Sequence, residues 1–163
     1  MDLGDGFELR NILEPGDIGQ LIHIQSKYYF QEFGYGIEFE AYISKLFSEY
    51  IDRNNEREDL WILQKDGKNI GSIGIFQEDE ETARLRLLFV HPEFRGLGLG
   101  TKMVDLAIKF SEEKGYSSIV LMTEDILYDA AKIYEKTGFE VVESGTTNMW
   151  GIDCQLQTLR KVL

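Results

Sequence analysis

The stretch HPEFRGLGLGTKM, residues 91–103, sets three glycines at 96, 98 and 100 between an arginine and a lysine. Upstream lies an apolar run, Leu85 to Val90, broken only by Arg86. Downstream, Met103 to Phe110 has a helical pattern. Glycine permits positive φ and close approach of backbone to a ligand. A helix N-terminus offers unpaired N–H groups and the positive end of the dipole. A strand that passes through such a loop into a helix makes a cradle for an anion. Arg95 and Lys102 add positive charge there, and a phosphate-bearing ligand is expected.

Two nucleotide fingerprints fail on spacing. A P-loop needs Gly, four residues, then Gly-Lys-Ser/Thr. Here Gly100 is followed by Thr101-Lys102, and position 95 is arginine. In G-x-G-x-x-G, the third glycine would fall on Thr101 or Met103. The spacing that fits is Arg/Gln-x-x-Gly-x-Gly/Ala, at Arg95, Gly98 and Gly100. With VHPEFRGLGLGTKMVDLAI, it resembles the acetyl-CoA loop of the GNAT superfamily of N-acetyltransferases. AAKIYEKTGFEVV, residues 130–142, resembles that family's A-x-x-x-Y-x-K-x-G-F segment. GDIGQLIH, YYFQEFGYGIEFEAYI, ARLRLLFV and IYEKTGF more closely resemble the acetyltransferase half of bacterial proteins that join a MarR-type regulator to a GNAT domain. No helix-turn-helix half accompanies them in this sequence.

The resemblance implies a single GNAT-like domain over residues 1–163 and an acetyl-CoA-dependent N-acetyltransferase. Strand Ala83–Val90 would splay from parallel strand Ser117–Met122, and the pantetheine arm would lie in the gap against Leu88, Phe89 and Val90. Backbone of Arg95, Gly96, Leu97, Gly98, Leu99, Gly100 and Thr101 would hold the pyrophosphate. Leu127 and Ala131 would complete the cofactor site. Many relatives carry asparagine where this chain has Leu127. Tyr134 takes the family's general-acid position. A phenol, with reference pKa near ~10, is protonated at neutral pH and can donate to a departing thiolate. The amine would attack the thioester directly, with a backbone N–H at Phe89 or Val90 for the oxyanion. The acceptor would be a small-molecule or peptide amine. An alkylammonium must first lose a proton, and Glu32, Glu38 and Glu124 are candidates to take it. Tyr28, Tyr35 and Trp150, with Glu32, are expected to line the acceptor pocket, since aromatic rings favour cations. A non-catalytic acetyl-CoA sensor and a different acyl-CoA donor remain open alternatives. Family members often form homodimers.

Mixed α/β elements must position these groups. Seven strands are expected: residues 7–12, 60–64, 69–76, 83–90, 117–122, one starting at Val141 and one starting near Cys154. Asp17 is a candidate N-cap for a helix carrying Ile18, Leu21, Ile22, Gln25 and Tyr29 on one face, ended by EFGYG at 32–36. Phe39, Tyr42, Ile43, Leu46, Phe47, Tyr50 and Ile51 follow helical spacing with one buried stripe. Helices are also expected over about 100–114 and over 127–136. KDGK, residues 65–68, carries the Asp-Gly hairpin signal.

Composition excludes some classes. With 29 acidic and 17 basic residues, the charge of −12 disfavours a nucleic-acid partner and suits a cationic amine. No apolar run approaches the roughly 18 residues of a membrane span. The first ten residues lack a signal-peptide pattern. One cysteine, Cys154, permits no intrachain disulfide, and its expected role is packing. A cytoplasmic location is expected. His23 and His91 stand without ligand spacing, so no metal is expected, and His91 is expected outside the site.

Overall fold

The computed structural model describes residues 1–163. Its elements run β1 (Asp2–Gly4), β2 (Phe7–Arg10), α1 (Asp17–Phe33), α2 (Ile37–Arg53), β3 (Asp59–Lys65), β4 (Lys68–Gln77), β5 (Thr82–Val90), α3 (Leu99–Glu113), β6 (Ser118–Glu124), α4 (Tyr128–Lys136), β7 (Glu140–Met149) and β8 (Ile152–Val162). One eight-stranded sheet has the order β1-β2-β3-β4-β5-β6-β8-β7. Only β5 and β6 pair in parallel.

Residues 60–63 of β3 show how the layers form. Leu60 and Ile62 pack with Leu21 of α1 and Phe47 of α2. Trp61 and Leu63 face the opposite side, with Met103, Val104 and Ala107 of α3. Alternating side chains serve both faces, so a strand covered by helices on both sides reads as a continuous apolar run. Four helices and a mixed sheet agree with the expected class.

Eight strands form rather than seven. The added strand, β1, pairs with β2 around Asp5 (φ 52°) and Gly6 (φ 74°). Asp66 and Gly67 make the same two-residue turn between β3 and β4. β2 stops at Arg10, short of the expected Ile12, and the Arg10 side chain reaches Asp17, with Nη2 2.6 Å from Oδ1.

Asp17 is not the N-cap of α1; Gly16 is, with φ 102°. The Asp17 carboxylate instead accepts from Arg10, Asn69 Nδ2 at 2.9 Å and the Glu14 N–H at 2.6 Å. It pins the start of α1 to β2 and β4. Burial raises its pKa, but these donors outweigh that and hold it at about 2. In α2, Phe39, Ile43, Leu46 and Phe47 are buried, whereas Tyr42 and Ile51 are exposed. The apolar stripe is therefore narrower than its spacing suggests.

Candidate active site

The β5–β6 ladder pairs Thr82 with Ser118, Ala83 with Ile119 and Arg84 with Val120, then stops. Beyond Arg84, β5 turns away. A bulge lies in β5, since Ser72 pairs with Phe89 but Gly74 pairs with Arg86. The extra residue falls near Leu87, whose φ is 59°. A bulge bends its strand and re-aims the residues beyond it. Ser72 Oγ fixes it by donating to the Leu87 carbonyl at 2.7 Å. His91 N–H bonds to Ile70 of β4 at 2.7 Å. By alternation, the N–H and C=O of Val90 then face the gap.

The glycine loop closes one end of this gap. Gly96 (φ 79°) and Gly98 (φ 75°) adopt the left-handed conformation, and Gly98 caps α3. The first bond closing the helix runs from Lys102 N–H to Gly98 O at 3.1 Å. The backbone N–H groups from Gly96 to Thr101 have no acceptor within the protein. Gly100 serves packing instead. A Cβ there would lie 2.6 Å from Ile133 Cδ1, so glycine lets α4 close on α3.

Arg95 braces the loop. Its Nε donates to Val90 O at 2.9 Å and its Nη1 to Tyr28 Oη at 2.6 Å. The guanidinium sits 4.5 Å from the Tyr28 ring centroid. Tyr28 therefore belongs to the cradle side and not to the acceptor pocket expected for it.

The resulting cavity has a volume of about 580 Å³. Leu88, Phe89, Val90, Arg95, Gly96, Gly98, Leu99, Gly100, Thr101 and Leu127 line it. Leu97 does not; it is 56% exposed between two left-handed glycines. Ala131 does not either; Ala130 and Ile133 form that wall. Residues three apart share a helix face, and Ala131 is turned about 100° from Ala130. The cavity joins a rack of N–H donors to an apolar trough. It suits a molecule with a pyrophosphate at one end and a flexible uncharged arm.

A second cavity of about 140 Å³ shares Tyr29, Leu88, Leu127 and Ala130 with the first. Tyr134, Glu124, Tyr35 and Trp150 line it. Tyr29 stacks on Tyr35 at 5.2 Å, and Tyr42 packs on Trp150 at 4.7 Å. Trp150 occupies the β7–β8 turn with φ 58°, and its carbonyl accepts from Gly36 N–H at 2.7 Å. That bond ties the turn to the α1–α2 loop over the cavity. Trp150 Nε1 donates to Glu124 Oε1 at 3.1 Å. Burial pushes the Glu124 carboxyl above its ordinary range, although the indole hydrogen bond opposes this. Burial raises the Tyr134 phenol strongly, and the negative charge of Glu124 adds to it. Tyr134 is thus held protonated beside a carboxylate.

Glu32 and Glu38 are exposed and line neither cavity. Glu32 is therefore removed from the expected acceptor set, while Tyr35 and Trp150 are brought together. Leu127, at the N-cap of α4, bonds through its N–H to Glu124 O at 3.0 Å. His91 packs against Phe94 outside both cavities. Cys154 is buried, and burial raises its thiol pKa. No three His, Cys, Asp or Glu side chains converge as a metal site. Sequence patterning does not single out Tyr29, Asp129 or Arg86, which also line the cavities. Tyr29 lies four residues before the helix end, where an apolar periodicity cannot distinguish a core ring from a cavity wall.

Comparison with known proteins gives a consistent family. A Schizosaccharomyces pombe protein named an uncharacterised N-acetyltransferase is 31% identical over 118 residues, 71% of this chain and 72% of its own. Human N-acetyltransferase 8B is 30% identical over 105 residues, 61% of this chain. The matched region spans 46% of that human protein, about half its length. The fold matches that of a Salmonella typhimurium protein solved with its cofactor acetyl-CoA. That match has a TM-score of 0.78 and 16% identity, and covers 97% of this chain and 94% of the other. No helix is long and apolar enough to cross a membrane. Residues 19–139 match the model of the acetyltransferase (GNAT) family, and the chain belongs to that family.

Proposed function

We propose that the protein moves an acetyl group from acetyl-CoA to a primary amine by direct attack, with Tyr134 as general acid and Glu124 as proton acceptor. The observation that carries this reading is the junction of the two cavities. The anion cradle and apolar trough end on the walls that enclose Tyr134 and Glu124.

Acetyl-CoA supplies the activated thioester. The N–H groups of Gly96 to Thr101 bind its pyrophosphate, and Leu88, Leu127, Ala130 and Ile133 pack on its arm. The Val90 N–H polarises the thioester carbonyl where negative charge develops. Glu124 takes the proton that the ammonium must lose, and its raised pKa suits a base working near neutrality. The N–C bond forms as the C–S bond breaks, and Tyr134 protonates the departing sulfur. Cys154 needs no part in this route.

Calorimetry with acetyl-CoA and thiol release with added amines test the reading. Binding with amine-dependent release supports it. Binding without release from any amine would favour a non-catalytic sensor.

We further propose a cytoplasmic location and kinship with acetyltransferase domains fused to MarR-type regulators. A homodimer through β7 is supported by that strand's position at the sheet edge and by the exposure of Val141 and Val142.

A further inference from the structure

The two cavities leave one charge without an assigned use. Arg84 and Arg86 both line the smaller one. Arg84 is committed to Glu78, with contacts at 2.5 and 2.7 Å. Arg86 has no salt-bridge partner and spends one nitrogen on Tyr42 Oη at 2.8 Å. A guanidinium has five N–H donors in a planar fork that matches a carboxylate. Arg86 therefore keeps donors to offer at the rim.

Glu124 is the complementary group. It has no salt-bridge partner, and its one side-chain donor is the Trp150 indole. Tyr35 Oη, in the same wall, is buried without a hydrogen-bond partner. The cavity wall thus carries a carboxylate and a guanidinium that lack salt-bridge partners, and a phenol with no hydrogen-bond partner, around about 140 Å³. A liquid water occupies about 30 Å³, so that space accommodates a group of amino-acid size next to Glu124. A simple amine would leave Arg86 to water, and a diamine would set its second cation against it.

Resting on the acetyltransferase reading, we propose that the acceptor is a free amino acid or a close amino-acid analogue. Its amine meets Glu124 and its carboxylate meets Arg86. Arg86 is then a specificity-determining residue. The charge of −12 over the whole chain does not oppose this, because a buried or half-buried pair acts at short range where screening is weak.

The test compares free amino acids with their carboxamides, with monoamines and diamines, and with lysine peptides, reading thiol release from acetyl-CoA. The wild-type protein should favour the acid over its carboxamide by roughly tenfold or more in kcat/KM, the scale of a charged hydrogen bond. Arg86→Gln should collapse that ratio toward one through KM. Arg86→Glu should invert it toward diamines. Equal use of acid and carboxamide, or preference for diamines or lysine peptides, would overturn the amino-acid reading and leave acetyl transfer standing. Absence of release with every amine would overturn both. The wild-type comparison needs no variant, so a misfolded Arg86 mutant would not rescue the idea.

Discussion

Arg84 and Val120 form the last rung of the parallel ladder between β5 and β6. Everything chemical in this protein lies past that rung. Up to it, the strands exchange hydrogen bonds. Beyond it, the bulge at Leu87 carries β5 away, and the edge groups at Leu88 and Val90 face a gap instead of a neighbour. Closing the ladder would abolish the site and would take the Val90 carbonyl from Arg95 Nε. The Ser72–Leu87 bond, supported by Gln25 Nε2 on Ser72 at 3.1 Å, keeps it open.

Tyr134→Phe should lower kcat by about 10²- to 10⁴-fold, the range for losing a positioned acid. Tyr134 contributes to the second cavity and not to the anion cradle. Acetyl-CoA affinity by calorimetry should therefore be unchanged. Unaltered turnover would remove the general-acid role.

Glu124 predicts the acidic limb of the pH–rate profile. Its carboxyl is raised above its ordinary value by burial. The deprotonated form is the competent base, so kcat/KM should rise with pH through that raised value, above the ~4.3 of an exposed glutamate. Glu124→Gln should lower the rate and erase the limb. A limb that survives in the mutant would assign it elsewhere.

Gly100→Ala would put its Cβ against Ile133 Cδ1 at 2.6 Å. Cδ1 is the free end of a half-buried side chain, so it can turn aside at little cost to the fold, but it does so at a cofactor-side wall. Acetyl-CoA affinity should fall while Tm changes little. Adding Ile133→Val removes the clashing carbon and should restore much of the affinity. No recovery in the double mutant would mean that Gly100 acts through backbone conformation.

Asp17 makes stability depend on acid. Its folded pKa of about 2 lies below the ~3.9 of an unfolded aspartate. A depressed carboxylate contributes stability that is complete above the unfolded value and is lost as pH falls through the folded one. Denaturant midpoints should therefore drop between about pH 4 and pH 2, and Asp17→Asn should show a smaller drop from a lower starting point. Parallel curves would exclude Asp17 as a contributor.

Much of this is legible in the sequence, for physical reasons. The glycine loop is local, so spacing alone locates its cradle and rejects two other nucleotide motifs. The β3 run and the α2 stripe report burial directly. The β1–β2 turn carries Asp5-Gly6, the same pair as Asp66-Gly67, but a strand of 3 residues is too short for periodicity to mark. What spacing does not reveal is partnership across the fold. Asp17 looks like a cap until Arg10 and Asn69 are brought to it. Tyr28 looks like an acceptor-pocket ring until Arg95, 67 residues away, stacks on it. Glu32, Glu38 and Glu124 are alike in sequence, and only the meeting of Trp150 with β6 separates the buried one. Ala131 lies one position from a wall, as happens when a motif is placed without its helix phase, and Leu97 turns its side chain to solvent while its N–H stays among the unsatisfied donors of the loop.

The decisive measurement is the steady-state release of CoA thiol from acetyl-CoA by wild-type protein and Tyr134→Phe, with and without an amine acceptor. If Tyr134 protonates the departing thiolate during transfer to an amine, release depends on the amine and yields the N-acetylated product in equal amount. It then falls by about 10²-fold or more in the mutant. Binding of acetyl-CoA with no acetylated amine from any acceptor, or equal rates for the two proteins, would contradict that mechanism.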